Sequence, residues 1–166
     1  MRRALIVLAG LAVVLTEAER LSGQSATANL SVSATVSKNC TITTAPVAFG
    51  NYDSIAANVT APLDGVGTVT VTCTKGAAAK VGLDPGANAQ GATRRMTQGA
   101  AAYLIYELYK DTTHSTVWGN TPTTGLDVPA APNRNPRSYT VYGRVAAAQD
   151  ATVGNYIDTV VATVNF

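Results

Sequence analysis

The stretch from Gly154 to Phe166 constrains the fold most, because apolar side chains recur at every second position along it. A period of two is typical of a β-strand with one buried face. The residues of that face are Tyr156, Val160, Ala162, Val164 and Phe166, with Asp158 as the one polar member. The edges of such a strand need backbone partners. No residue follows Phe166 in the printed chain, so we expect the partner of this strand to come from elsewhere.

Shorter segments of the same kind recur along the chain, separated by turn-forming Gly, Pro, Asn and Asp. The predicted strands cover residues 26–36, 40–43, 67–73, 79–83, 94–96, 102–109 and 138–145, residues 47–52 contain a predicted turn at Gly50-Asn51, and residues 121–136 are predicted to form a loop. Only 13% of the residues are charged, and 14 Gly and 7 Pro supply turns. This combination favours an all-β sandwich in a single domain.

The N-terminus has the pattern of a signal peptide. Arg2 and Arg3 precede an apolar run of 12 residues, 4–15, which is too short to span a membrane. Small residues then offer cleavage points after Ala18, Ser25 or Ala28. We take residues 1–25 as the signal peptide and expect export by ordinary secretion.

The charge of the exported chain argues against two classes of partner. Cleavage after Ser25 would leave nine basic and eight acidic side chains, a net charge of +1. A nearly neutral surface gives no electrostatic basis for binding nucleic acid or an anionic membrane.

The two cysteines, Cys40 and Cys73, are predicted to form one structural disulfide, since an exported chain with an even pair usually oxidises it. Closing a loop of about 34 residues would stabilise the fold by roughly 4 kcal/mol on the chain-entropy model. Their spacing differs from the Cys-x-x-Cys of redox sites. With His114 as the one histidine, we expect no metal site and no cofactor.

No catalytic motif stands out, so the chain is predicted not to be an enzyme. His114 is interpreted as an exposed loop residue, Arg94 and Arg95 as a solvated pair, and Trp118 as a core residue. Glu107 has no partner near it in the sequence. The tyrosines of residues 102–109 alternate, so Tyr103 and Tyr109 should face away from Tyr106.

Several short motifs together resemble the spore coat protein U family, whose other members are pilins of the archaic chaperone–usher pathway. The matching segments are Asn39-Cys-Thr-Ile, Phe49-Gly-Asn-Tyr, Gly67-Thr-Val-Thr-Val-Thr-Cys, Tyr103-Leu-Ile-Tyr-Glu-Leu-Tyr, Trp118-Gly, Tyr139-Thr-Val-Tyr-Gly-Arg-Val and the terminal stretch from Gly154. They cover nearly the whole exported chain. Residues 121–136 match no motif of the family.

The resemblance implies an incomplete immunoglobulin-like β-sandwich that lacks its last strand. In such pilins a periplasmic chaperone lends the missing strand, and at an outer-membrane usher the N-terminal extension of the next subunit replaces it. Cys40 and Cys73 would then join the first two strands of the body.

On this basis residues 26–37 are predicted to be a donor-strand extension and residues 38–166 the pilin domain. The donor side chains would be Ala28, Leu30, Val32, Ala34 and Val36, and the acceptor groove would be lined by Tyr156, Val160, Ala162, Val164 and Phe166. The predicted function is a secreted structural subunit of a spore coat or pilus on the bacterial surface, polymerised by donor-strand exchange with other copies.

Two alternatives remain at this point. In the first, residues 26–36 are the first strand of a self-complete sandwich. Such a domain would act as an adhesive or carbohydrate-binding module. A tip adhesin is the other, although such proteins usually carry an additional receptor-binding domain for which this chain has no room.

Overall fold

The computed structural model describes residues 23–99 and 101–166, so most of the predicted signal peptide lies outside the described residues. The chain divides into two units, Met1–Thr35 and Val36–Phe166. In the first unit, residues 23–35 form no helix or strand. The strand predicted over residues 26–36 is therefore absent, because an extended segment becomes a strand only when a partner satisfies its backbone groups.

The second unit is all-β. Within residues 36–99 and 101–166 the strands are β1 (Cys40–Ala45), β2 (Leu63–Cys73), β3 (Ala79–Leu83), β4 (Arg95–Thr97), β5 (Tyr103–Tyr109), β6 (Leu126–Val128), β7 (Arg137–Val145) and β8 (Ala162–Asn165). They form a five-stranded sheet in the order β1-β2-β7-β5-β4 and a three-stranded sheet in the order β6-β3-β8. The named strand pairs are antiparallel. The structure is the predicted all-β fold.

The centre of the larger sheet follows from the alternation of β2 and β7. Val69, Val71 and Cys73 of β2 are buried, while the threonines between them are only half-buried. Val141 and Val145 of β7 continue the buried face. The period of two thus directs branched apolar side chains inward and hydroxyls outward.

The core lies between the two sheets and is closed by Trp118. Its side chain is fully buried, and its indole N–H donates to the carbonyl oxygen of Val81 on β3 at 2.9 Å. The prediction that Trp118 is a core residue is confirmed. Tyr106 is also buried, whereas Tyr103 is exposed and Tyr109 half-buried, as their alternation predicts.

Three segments show what the sequence did not predict, besides shifts of one or two residues at the ends of other strands. β2 begins at Leu63 rather than at residue 67, and Asp64 there pairs with Arg144 across the ladder to β7. β6 lies within the predicted loop 121–136. Residues 47–52 form no strand, because Val47 and Phe49 turn inward over the larger sheet.

The terminal stretch is the largest correction, because only Ala162–Asn165 of it forms a strand. Before Ala162, side chains replace part of the ladder. The Asp84 carboxylate accepts the N–H of Val161 at 2.9 Å, and the Asp158 carboxylate accepts the N–H of Thr159 at 2.9 Å. Residues 155–161 are held mainly by these side-chain hydrogen bonds and by isolated backbone pairs, such as that of Ile157 with Thr97.

Candidate functional site: a groove between two sheet edges

The edges of the two sheets define the site. Among the described strands, β1 pairs with β2 alone and β8 with β3 alone, so each has one side without a ladder partner. β1 and β8 also approach each other. A cleft therefore opens along the side of the sandwich where both sheets end.

Two cavities follow this cleft, with volumes of about 590 and 380 Å³. Both are bordered by Val47, Phe49, Met96 and Tyr156, so they are neighbouring parts of one groove, which we call the lateral groove. One wall is formed by residues 44–49 and the other by residues 156–162. The floor of the smaller cavity consists of side chains that also belong to the core, namely Val69, Leu83, Tyr106, Leu108 and Val141. The groove therefore gives access to the hydrophobic core.

The backbone of the second wall is satisfied on one side only. Ile157 exchanges both of its backbone hydrogen bonds with Thr97, and Val161 bonds to Asp84 through its N–H and its carbonyl. Within the described residues, the backbone N–H and C=O groups of Asp158 and Val160 have no partner. Since alternate residues of an extended chain direct these groups to opposite sides, those of Val160 face the groove. The second wall therefore has an unpaired backbone edge, like that of an edge strand.

The predicted acceptor residues are only partly brought together. Tyr156, Val160 and Ala162 line the lateral groove. Val164 packs against the core beyond the residues that line the two cavities, and Phe166 is 53% exposed. Val47 and Phe49, which were not among the predicted acceptor residues, line the groove instead.

The predicted donor residues are exposed. Leu30, Val32 and Val36 expose 88%, 86% and 81% of their surface, and Ala28 and Ala34 are also exposed. Large apolar side chains exposed at every second position are typical of a segment that is buried elsewhere.

Val47 and Phe49 occupy space that two glycines leave open. A Cβ atom on Gly143 would lie 2.7 Å from both the Phe49 ring and a Val47 methyl, and one on Gly67 would lie 2.6 Å from Val47. The Phe49 ring also meets Tyr106 edge-on, with the ring centroids 6.0 Å apart. Small residues on the larger sheet thus position the first wall of the groove.

Asp158 anchors the second wall. Its carboxylate accepts the hydroxyl of Tyr106 at 2.7 Å, and the backbone and side-chain N–H groups of Asn88 at 3.0 Å each. Burial, and then the hydrogen bond to this carboxylate, raise the pKa of Tyr106. The one polar residue in the inward phase of the terminal stretch is therefore fully engaged, and it ties the wall to the groove floor.

Arg94 is buried, which contradicts its interpretation as half of a solvated pair. Its guanidinium donates to the backbone carbonyls of Leu83, Asp84 and Trp118, and it forms an ion pair with Glu107. Glu107 thus has its partner in space. Burial of a guanidinium is tolerated here because a carboxylate and three carbonyls satisfy it.

His114 is also more enclosed than predicted. Its side chain is 7% exposed and lies edge-on to Tyr109, with the ring centroids 5.1 Å apart. The nearest acid is Asp64, 3.8 Å away, which accepts two hydrogen bonds from Arg144. The hydrogen bonds from Arg144 lower the pKa of Asp64. The His114 side chain is therefore part of the packing beneath a loop.

The structure joins Cys40 and Cys73 in a disulfide. The two residues face each other at the first position of the β1–β2 ladder. Over residues 23–99 and 101–166, no three His, Cys, Asp or Glu side chains are grouped so that they could hold a metal ion. No helix in this part of the chain is long and apolar enough to cross a membrane.

Comparison with known proteins assigns the family. The Spore Coat Protein U domain matches residues 26–163, which is more than half of the chain. The chain belongs to this family. It is 39% identical over 154 residues to Protein U of Myxococcus xanthus, covering 85% of each protein.

A solved structure supports the fold of this spore coat U domain. A chain in the crystal structure of the CsuC–CsuE chaperone–tip adhesion subunit pre-assembly complex, from archaic chaperone–usher Csu pili of Acinetobacter baumannii, superposes with a TM-score of 0.57. The identity is 22%, and the match covers 80% of our chain but 40% of that one. At this identity the likeness concerns the fold, an immunoglobulin-like sandwich.

Proposed function

We propose that the protein is an exported structural subunit that polymerises by donor-strand exchange into a spore coat layer or a pilus. The observation that carries the proposal is the lateral groove, whose floor is the core and whose second wall is an unpaired strand edge. Such an edge accepts an extended segment by strand addition, with backbone hydrogen bonds for affinity and side-chain pockets for specificity.

Residues 26–36 of another copy are the proposed occupant. Their apolar side chains alternate with small polar ones, as a strand lying over the core requires. Burial of Leu30, Val32 and Val36 would contribute roughly 5–9 kcal/mol, at about 1.5–3 kcal/mol per side chain. Net ladder hydrogen bonds would add about 0.5–1.5 kcal/mol each.

The proposed assembly is head-to-tail. The donor segment and the groove are different parts of the chain, so the contact is heterologous and generates an open fibre where it does not close into a ring. Val160 and Ala162 on one side and Val47 and Phe49 on the other would hold the donor. Val164 and Phe166, which we predicted to line the groove, would contact only the end of the donor.

The proposed partners follow from the same chemistry. Before assembly, an exposed groove that reaches the core needs a temporary cover, and the Csu relative was crystallised in a chaperone–subunit complex. We infer a periplasmic chaperone that supplies a strand, an outer-membrane usher, and a final location on the cell or spore surface.

Charged substitutions in the two phases of the donor test this function. Leu30→Asp and Val32→Asp would place a carboxylate over the core and should abolish polymers while leaving the chaperone-bound subunit. Ser31→Asp is the matched control, because its side chain belongs to the outward phase. Polymers are detected as ladders on unboiled denaturing gels. Ladders that persist in the Leu30 and Val32 variants, or that disappear equally with Ser31→Asp, would contradict the donor assignment.

A further inference from the structure

We propose that the Cys40–Cys73 disulfide is a force clamp, which transfers tension on residues 26–36 directly to strand β2 of the larger sheet. The inference rests on the proposed function, because this tension arises only when a neighbouring copy holds the donor segment. It assigns a mechanical role to a bond that otherwise only stabilises the fold.

The clamp lies where the load enters. Only residues 37–39 separate the exposed Val36 from Cys40, and they are held by Thr74, whose N–H donates to the carbonyl of Asn39 at 2.9 Å. The hydroxyl of Thr74 makes a weaker bond to Ser37 at 3.3 Å. A pull on the donor segment therefore reaches β1 at its first residue.

β1 is poorly placed to resist that pull by itself. It is an edge strand of six residues, and β2 is its one ladder partner. Force applied at one end of such a ladder breaks its hydrogen bonds one pair at a time. The first pair is Cys40 with Cys73, and there a covalent bond replaces a separable contact.

Beyond the disulfide the load is shared. β2 has 11 residues and lies between β1 and β7. Its ladder with β7 extends from Leu63, opposite Val145, to Val71, opposite Arg137. The disulfide thus bypasses the short edge strand and delivers the force to the end of a long strand, two residues from its ladder with β7.

Loss of β1 would also damage the groove. Thr44 and Ala45 at the end of β1, and Pro46 and Val47 after it, line the lateral groove. Peeling of β1 would remove the wall that holds the donor of the next copy. The clamp therefore protects both contacts that a subunit makes in a fibre.

Moving the disulfide along the same ladder tests the clamp. Wild-type filaments are compared with Cys40→Ala/Cys73→Ala filaments and with the same double variant carrying Thr43→Cys/Thr70→Cys. Thr43 and Thr70 face each other three pairs further along β1, with outward side chains, so the loop is still closed while residues 40–42 lose their protection. Urea unfolding verifies that the relocated bond restores stability.

The readout is the extension of single filaments in an optical trap. Without a disulfide we expect an additional low-force extension of about 20 Å per subunit, because the point of attachment moves from Cys40 past Ala45, along six residues that span roughly 3.3–3.6 Å each. The relocated disulfide should leave about half of that extension. Wild-type filaments should show none before they break.

The outcomes separate the clamp from the function on which it rests. Wild-type filaments that form, and that extend and break like both variants, would overturn the clamp alone. A relocated disulfide that behaves like the native one would also overturn it, because any cross-link between β1 and β2 would then suffice. If the wild-type chain forms no filaments with its chaperone, the proposed function fails, and the clamp fails with it.

Discussion

At the scale of single residues, Arg94 and Arg95 show what surroundings do to identical side chains. Arg94 is buried and bonded to Glu107 and three carbonyls, whereas Arg95 stacks over the ring of Tyr103 at 4.0 Å near the surface. Nothing in the local sequence distinguishes the two, because their partners come from distant segments. The pair was therefore interpreted wrongly as solvated, and Glu107 as unpartnered.

Replacing each arginine in turn should separate these roles. Arg94→Ala would remove the ion-pair partner of Glu107 and the guanidinium donor of three carbonyls, and we expect a loss of about 3–5 kcal/mol in the free energy of unfolding. Arg95→Ala should cost no more than about 1 kcal/mol. Urea denaturation monitored by the fluorescence of Trp118, the one tryptophan, measures both. Equal losses would show that Arg94 is not the buried connector described here.

Tyr106 makes the stability sensitive to alkaline pH. Burial, followed by the hydrogen bond to Asp158, raises the pKa of Tyr106, while in the unfolded chain the phenol titrates near 10. The folded state holds this proton more tightly, so its contribution is complete below pH 10 and declines as the pH rises towards the higher folded-state value. The decline should be at most about 1.4 kcal/mol per pH unit.

Tyr106→Phe is the variant that tests this dependence, with Tyr103→Phe as the exposed control. Urea midpoints between pH 8 and 11 should fall more steeply for the wild type and the control than for Tyr106→Phe. Identical slopes for the three proteins would contradict the assignment.

At the scale of elements, the groove depends on a segment that is not a strand. Val47 and Phe49 leave the sheet after β1 and pack into the space above Gly67 and Gly143. The sequence did not predict this packing, because alternation reports which side chains are buried and not whether the backbone has a ladder partner. The two glycines, in strands β2 and β7, supply the missing information only when the strands are already aligned.

Gly143→Ala should therefore disturb the groove wall. The added methyl would lie 2.7 Å from Phe49 and Val47, and the overpacking should cost about 1–3 kcal/mol in the free energy of unfolding. Phe49→Leu, which shortens the side chain, should restore part of that loss in the double variant, as urea denaturation would show. A Gly143→Ala protein as stable as the wild type would contradict this, because Phe49 and Val47 would then move aside with no loss in the free energy of unfolding.

The sequence predicted the fold class and most strands, since the period of two in segments such as residues 67–73 and 138–145 is imposed by the core. Of the residues predicted to line an acceptor groove, Tyr156, Val160 and Ala162 border the lateral groove. The sequence did not predict that Asp84 and Asp158 would interrupt the terminal strand, because Asp84 lies 77 residues from Val161 and Asp158 is also bonded to Asn88, 70 residues away. Contacts between distant segments leave no local pattern to detect.

At the scale of the whole molecule, the chain has two features that a self-complete sandwich would not need. One is a donor segment with alternating apolar side chains, exposed in this chain. The other is a groove with an unpaired edge at Val160. In a fibre each feature would satisfy the other in a neighbouring copy.

Amide hydrogen exchange at adjacent residues of the second wall tests this account most directly. The Val160 N–H has no partner within the described chain, whereas the Val161 N–H already donates to Asp84, so Val161 is an internal control. Filaments and unassembled subunits would be exchanged in deuterated buffer, quenched, and compared at single-residue resolution. We expect the Val160 amide to exchange rapidly in the free subunit and slowly in filaments, while the Val161 amide is protected in both. Equally rapid exchange of Val160 in the two states would contradict donor-strand exchange at this groove.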